Sequence, residues 1–462
     1  MATYLDRTFT AGNRRTLTFS AWIKRTDNAN TYNHLITTSP NPGNWDSIRI
    51  ENDGEVGIHI GGDTYQLHSN KKIEDTCAWW HICVAIDTTQ GTAANRVKMW
   101  INGQQISGTG TGEYEFSTAS YPTQDFDTNF NDNGKTCRLF DNTWSTGNEY
   151  FTGGVAFWYY IDGTAMTAAD FGQTDSTTGQ WTIKTNLTGL SYGTNGFFLF
   201  QDDGAITDDS GQGNNFSSSG EGVTDTKDCP SDNYCQLDRE LIPNNFSSNA
   251  TLSYCGLNFF TSTAQWDTQC SSFGITKGKY YFEVQMSDFG GDMRMRWGLV
   301  KESLVNRSGN NSVLGGTGHG AAAFYTGGES SSNGGYIVGE TSTALTGDGD
   351  INAASAYYGF AVDLDNTKIY GSFNGTWLNS ANPSTGTNGI DYSSYATAGT
   401  PMFAAFTVHN SLVKLNFGQG AFSGVQVTSN SGNGYQDANG NGKFQNTVPT
   451  GFCCISTKGL NQ

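Results

Sequence analysis

The chain has 462 residues and a formal net charge of −18, with 59 glycines, 8 prolines, 13% aromatic residues and only 15% charged ones. That length exceeds one ordinary core, so two or three domains are expected. The negative charge, with no lysine or arginine cluster against it, excludes direct nucleic-acid binding. The 28 Phe, 21 Tyr and 11 Trp supply too much apolar surface for a disordered chain.

In chain order, "MATYLDRTFTAGNRRTLTF" lacks the apolar core of a signal peptide, and no run approaches the roughly 18 apolar residues of a membrane span. The expectation is a soluble protein without membrane insertion. From 15 to 184 short strands follow one another. "RTLTFSAWIKRT" alternates, and "SIRIEND" and "EVGIHIGG" are separated by Asn-Asp-Gly, a hairpin signal. "WWHICVAID", "VKMWING" and "VAFWYYIDG" come next, and the one helix-like piece is "TAMTAADF" at 164–171, with Thr164 as its cap. Residues 185–250 are acidic, rich in Gly and Ser and poor in aliphatics, and read as an irregular connector. A second strand series occupies 251–425: "GKYYFEVQMSD", "MRWGLV", "AAAFYTG", "YYGFAVDLD", "TKIYGSFNG", "PMFAAFTV" and "SLVKLNFG". A polar C-terminal segment, 426–462, ends the chain.

One pattern occurs twice. "VKMWINGQQI" at 97–106 and "TKIYGSFNGTWL" at 367–378 each follow an apolar strand ending in aspartate, and each carries lysine, an aromatic residue and Asn-Gly. Asn-Gly suits a type I′ turn, whose two central residues need positive φ. Asn102 comes four residues after Lys98 and Asn374 six after Lys368; the difference is even, so the same side chains still face the core. The expected architecture is all-β: two antiparallel β-sandwiches, over 1–184 and 251–425.

Six of the nine cysteines lie between Cys77 and Cys255, and without an export signal buried thiols are the default. Cys229 and Cys235 flank a turn and could pair or hold a metal, although no second Cys/His pair stands nearby at zinc spacing. "DANGNGKF" places Asp437, Asn439, Asn441 and Gly442 as in the first half of a calcium loop, but Val448 occupies the place of the expected acid. Its other reading is a plain surface turn. Trp144, with Asp141, Asn142 and Asn148 beside it, and Trp377, with Asn379, sit in loops where an indole could stack on a sugar face. Their other reading is packing. No Walker loop, HExxH or GxSxG occurs, and Glu283 and Asp288 fall on opposite faces of their strand, so no enzyme is expected.

The stretches "TLTFSAWIKRT", "AWWHICVAIDTTQGTAANRVKMWINGQQI" and "FTGGVAFWYYIDGTAMTAADFG" resemble the laminin-G-like branch of the concanavalin A-like lectin superfamily. More narrowly, with "YGTNGFFLF", "DDSGQGNNF" and "DCPSDNYCQL" following in order, they resemble versions carried by virion proteins of marine bacteriophages. "GKYYFEVQM", "YYGFAVDLDNTKIYGSFNGTW", "NPSTGTNGI" and "LNFGQGAF" resemble the SPRY family, also a concanavalin A-like sandwich. His81 and Cys83 depart from the plain apolar pattern expected there. The resemblance implies a phage virion protein, a tail-fibre or tail-tip adhesin that binds a host cell-surface glycan or protein receptor and contacts other virion proteins. It also implies a homotrimer, as is common in fibres, and calcium at the sandwich rim in some members; no other cofactor is expected. The alternatives are a capsid fibre or decoration protein, and a glycan-cleaving enzyme. Glucanases on this fold use Glu-x-Asp-x-x-Glu, which does not occur here.

Overall fold

Along Thr16–Arg25, Leu17, Phe19, Ala21 and Ile23 turn into a core while Thr18, Ser20 and Trp22 face the other way, the period-two reading of an extended strand. The computed structural model describes residues 3–26, 31–41, 43–142, 149–184, 187, 189–201, 206–220, 222–239, 250–261, 266–287, 294–305, 313–327, 334–348 and 350–460. They form two units, Met1–Asp225 with Cys229–Ser231, and Thr226–Asp228 with Asp232–Gln462. Both are all-β, as expected.

The first unit holds β1 (Tyr4–Thr8), β2 (Thr16–Arg25), β3 (Asn33–Asn41), β4 (Asn44–Ile50), β5 (Glu55–Ile60), β6 (Tyr65–Lys72), β7 (Trp80–Asp87) and β8 (Val97–Ile101). It continues through β9 (Gln104–Ile106), β10 (Phe116–Ala119), β11 (Thr136–Leu139), β12 (Gly153–Asp162), β13 (Gly172–Thr174), β14 (Trp181–Ile183), β15 (Phe197–Leu199) and β16 (Ser217–Ser219). One sheet runs β10-β6-β5-β4-β3-β11-β1-β16 and the other β15-β12-β2-β7-β8-β9, all antiparallel. Their inner faces enclose one core, with Ile36, Ile48, Ile58 and Leu67 from the first meeting Phe19, Val84, Met99 and Trp158 from the second. The single helical turn α1 (Ala168–Phe171) is capped by Thr167, not Thr164: the Thr167 amide and hydroxyl both donate to Asp170, at 2.7 and 2.8 Å.

The stretch read as a connector is differently placed. β15 pairs with β12, β16 pairs with β1, and Phe197, Leu199, Phe200 and Phe216 enter the first core. The acidic text between them is turn chemistry. The Asp208 carboxylate accepts amides of Phe198, Ser210 and Asn214 at 2.8–2.9 Å. Asp162 likewise accepts the Asn13 amide at 2.8 Å and the Asn195 amide at 3.0 Å, tying the end of β12 to the entries of β2 and β15.

The second unit holds β17 (Ala250–Ser253), β18 (Asn258–Thr261), β19 (Trp266–Ile275), β20 (Lys279–Ser287), β21 (Arg294–Lys301), β22 (Ala321–Tyr325) and β23 (Gly335–Gly339). After them come β24 (Thr341–Ala344), β25 (Tyr357–Asp363), β26 (Lys368–Phe373), β27 (Thr376–Trp377), β28 (Ile390–Asp391), β29 (Met402–His409) and β30 (Leu412–Asn416). The sheets are β17-β18-β30-β20-β25-β26-β27, with β28 on β26, and β19-β29-β21-β22-β23-β24. The segment 426–462 is no tail, because Phe444, Phe452 and Cys454 pack on Tyr281, Ala361 and Tyr370 of the first of these sheets. Glu283 pins it. Its carboxylate accepts the Gln445 amide at 2.8 Å, the Asn446 amide at 2.7 Å, Asn446 Nδ2 and the Tyr281 hydroxyl at 3.0 Å, and Asn416 Nδ2 at 3.3 Å.

The repeated hairpin is one device used in each unit. Asn102 and Gly103 have φ of 47° and 77°, and Asn374 and Gly375 have 48° and 80°. The asparagine does more than turn. Asn102 N–H donates to the His81 carbonyl at 2.8 Å and its Oδ1 accepts the His81 amide at 2.8 Å. Asn374 makes the same pair with Tyr357, at 2.7 and 2.9 Å, so each turn extends the preceding ladder by one rung.

Glu283→Ala would leave several buried donors without an acceptor and should lower the stability of the second unit by about 3 kcal/mol. Thermal melting checks this: the transition of the second unit shifts down, and limited proteolysis releases the C-terminal segment. An unchanged transition would show that Glu283 does not pin that segment.

Candidate functional site

The two outer faces of the first unit differ. That of the six-stranded sheet is covered: α1, Trp181, Leu190 and Tyr192 pack over Cys83, Ala85, Trp100 and Tyr159. Trp181 fits because Gly103 and Gly172 lie beneath it, where an added Cβ would come within 2.3 and 2.5 Å of the indole. Under this cover Ser20 Oγ lies 2.9 Å from His81 Nε2, a pair that looks like a nucleophile and its base. The indole rules that out. Trp181 Nε1–H donates to His81 Nδ1 at 3.0 Å, so Nε2 carries the ring proton and donates to Ser20 rather than accepting from it. Burial pushes His81 down to about 3, so it stays neutral.

The outer face of the eight-stranded sheet carries a polar strip running from β1 to β6. Alternation puts Leu5, Cys137, Ile48, Ile58 and Leu67 inward and leaves Asp6, Arg138, Arg49, His59 and His68 outward. Arg138 grips Asp6 with two bonds of 2.8 Å under the Tyr4 ring, 3.8 Å from its centroid. Arg49 grips Glu51 with bonds of 2.8 and 3.1 Å under the Tyr32 ring, at 4.1 Å. Each forked pair is fixed in geometry by its two parallel bonds. Between them His34 Nδ1 meets Ser47 Oγ at 2.8 Å, and its Nε2 stands 3.4 Å from Glu149. Burial holds His34 below its ordinary value, and the His34 contact holds Glu149 below its own.

Glu51 is the centre of the strip. Its Oε1 also lies 2.8 Å from His59 Nε2, and His59 Nδ1 lies 3.0 Å from Asp63. Burial alone would raise the Glu51 carboxyl, but the bonds and charges of His59 and Arg49 outweigh it and bring it to about 2. The His59 ring stacks on Trp45 at 5.2 Å. Gly57 is the floor: a Cβ there would sit 1.9 Å from Glu51 Oε1, so only glycine admits the carboxylate.

Of the residues picked from the sequence, Asp141 and Asn142 reach this strip. The Arg138 guanidinium donates to the Asn142 carbonyl at 2.9 Å, Asn142 Nδ2 donates to Glu149 at 2.5 Å, and Asp141 accepts the Asn142 amide. Trp144 and Asn148 lie outside the described residues. Trp377 packs edge-on to Tyr281 in the second unit, and the Asn379 amide donates to both Asp348 oxygens at 3.0 Å in a left-handed turn. Asp437 spends its oxygens on amides of Gly442 and Cys454, at 2.9 and 2.8 Å; Asn439 Nδ2 turns to Cys453 Sγ, and the Asn441 carbonyl takes the Tyr234 hydroxyl. All nine cysteines are thiols rather than disulfides, and Cys229 and Cys235 are unpaired with each other. Sequence reading missed Arg49, Glu51, His59 and His68, although the alternation of "SIRIEND" and "EVGIHIGG" already put Arg49, Glu51 and His59 on polar faces.

Residues 3–134 match the family model Laminin_G_3, the concanavalin A-like lectin/glucanases superfamily. The strip from Tyr4 to His68 lies inside that lectin-like stretch, and Arg138 to Glu149 lie beyond it. Similar solved structures include the TRIM65 PSpry domain, at 13% identity over 39% of this chain and 88% of that one, with a TM-score of 0.28. Another is the native heptameric SAP-like pentraxin from Limulus polyphemus, at 17% identity over 36% of this chain and 72% of that one, with a TM-score of 0.25. No curated protein matches. Among the described residues no helix is long and apolar enough to cross a membrane.

The stability of the first unit should fall with pH in two windows. Neutral burial of His81 contributes stability that is full above the ordinary value of 6.5 and is lost as the pH falls from there towards 3. The ionised Glu51 contributes stability that is full above 4.5 and is lost between 4.5 and 2. Melting of the full chain across the acid range checks both. Glu51→Gln should flatten the lower window and leave the upper one.

Proposed function

We propose that this chain is a glycan-binding adhesin of a bacteriophage virion, a tail-fibre or tail-tip component, and that its first unit takes the sugar on the outer face of the eight-stranded sheet. One observation carries the reading: two arginine–carboxylate forks on one sheet face, each roofed by a tyrosine. Sugars present pairs of hydroxyls, which forked charged groups recognise, and apolar C–H faces, which aromatic rings cover. The lectin-like family match over 3–134 supports the same ligand class. The virion setting rests on the sequence resemblance to phage proteins. Binding without cleavage is the reading of the strip's central acids, since Glu51 and Glu149 are both held below the usual carboxylate range and neither is kept protonated as a general acid.

Binding of the full chain to intact cells of the parent phage's hosts tests this. Saturable binding is expected, with Tyr4→Ala and Tyr32→Ala each weakening it about tenfold and Trp377→Ala leaving it unchanged. No new reducing ends should form on host polysaccharide. Absence of saturable binding to every host would overturn the adhesin reading in favour of a structural virion role, and new reducing ends would make the chain an enzyme.

A further inference from the structure

The geometry points to a divalent transition-metal site on the first unit, formed by Glu51, His59 and His68, with Zn²⁺ the best-matched ion. It shares Glu51 with the Arg49 fork, but its argument does not depend on the glycan reading. The three ligand atoms are close: His59 Nε2 lies 2.8 Å and His68 Nε2 3.9 Å from Glu51 Oε1, and all lie within 4.8 Å of one another. Ligands around one tetrahedral zinc ion stand about 3.3 Å apart, between the 2.8 and 3.9 Å by which the two imidazoles stand from Glu51 Oε1, so side-chain adjustment on the order of 1 Å closes the set.

The surroundings are those of a ligand set rather than of a chance cluster. Behind each imidazole is a carboxylate facing the nitrogen that points away from the centre: Asp63 lies 3.0 Å from His59 Nδ1, and Glu55 lies 3.8 Å from His68 Nδ1. The Asp63 contact is of the kind that fixes the ring and tautomer of a metal-bound histidine, while Glu55, beyond hydrogen-bond reach, adds its charge behind His68. Glu51 is itself oriented by the Arg49 fork, which leaves one lone pair of Oε1 toward the histidines. His68 Nε2 is buried with no hydrogen-bond partner among the described residues, an atom for which a metal supplies a role. Gly57 keeps open the space that any other residue would fill.

Charge agrees. Glu51, Glu55 and Asp63 against Arg49 leave the cluster with two uncompensated negative charges when both histidines are neutral, and a divalent ion cancels them. The ion takes the place of the proton between His59 Nε2 and Glu51 Oε1; in the neutral ring that proton moves to Nδ1, which faces Asp63 at 3.0 Å. Two imidazoles and one carboxylate suit zinc and disfavour calcium, which seeks six or more oxygens. Entry is from the side of His68 and Asp63, whose side chains are 19% and 66% exposed.

Equilibrium dialysis of the chelator-treated full chain against zinc chloride, followed by cobalt(II) absorption, tests the assignment. One zinc per chain is expected, with a rise in the melting temperature of the first unit. His68→Ala should weaken binding at least about a hundredfold, and Asp63→Asn by about tenfold to a hundredfold. Both variants alter partly exposed side chains, and their circular dichroism should match the parent. Cobalt should show tetrahedral ligand-field bands without a thiolate charge-transfer band. No stoichiometric binding, unchanged affinity in His68→Ala, or a thiolate band accounting for all bound cobalt would overturn the site.

Discussion

Backbone amides outside the ladders are the constraint on which this protein depends. A chain with almost no helix and many long turns has many N–H groups that no neighbouring strand can accept, and each one buried without a partner costs about 1–3 kcal/mol. The solution recurs: a buried carboxylate gathers several amides at once. Asp46 takes those of Gly61 and Asn129, Asp162 those of Asn13 and Asn195, Asp208 three more, and Glu283 two. Burial pushes Asp46 and Glu283 above their usual values even so, which shows that desolvation outweighs the donors at both. The low share of charged residues is therefore misleading. Many of the acids in this chain are structural parts of the interior.

This explains what the sequence could and could not disclose. Strands were legible because alternation has no competing cause, and the Asn-Gly turns because few residues tolerate two successive positive φ values. The stretch from 185 to 250 was misread because acid, glycine and serine compose both a loose connector and a carboxylate-centred turn; only Phe197, Leu199 and Phe216 hinted at a core. The same ambiguity surrounds Asp437. Asp, Asn and Gly close turns and bind cations with the same atoms, and here both Asp437 oxygens accept backbone amides. The outer-face strip needed register as well as alternation. The register shift between Glu55 and Gly57 decides that Gly57 stands opposite His68, and no single strand reveals it.

The strip also shows how a sheet face holds charge without becoming loose. Glu51 and His59 are almost wholly buried, yet each polar contact is shared with another: Arg49 fixes Glu51, Glu51 fixes His59, and Trp45 stacks on His59. A network of this kind is stable only while complete, because removal of one member strands the others in a low dielectric. It is preorganised before any ligand arrives, so little ordering entropy remains to be lost on binding.

The hairpin found in both units has one more effect. In each it closes its sheet with an outermost strand of minimal length, three residues in β9 and two in β27. An open sheet edge is a template on which another chain can add a strand, and its danger grows with the length of unpaired backbone it offers. Edges this brief give an incoming strand almost nothing to grip. In a chain so rich in extended segments, the doubled Asn-Gly turn thus guards against self-association through these two edges.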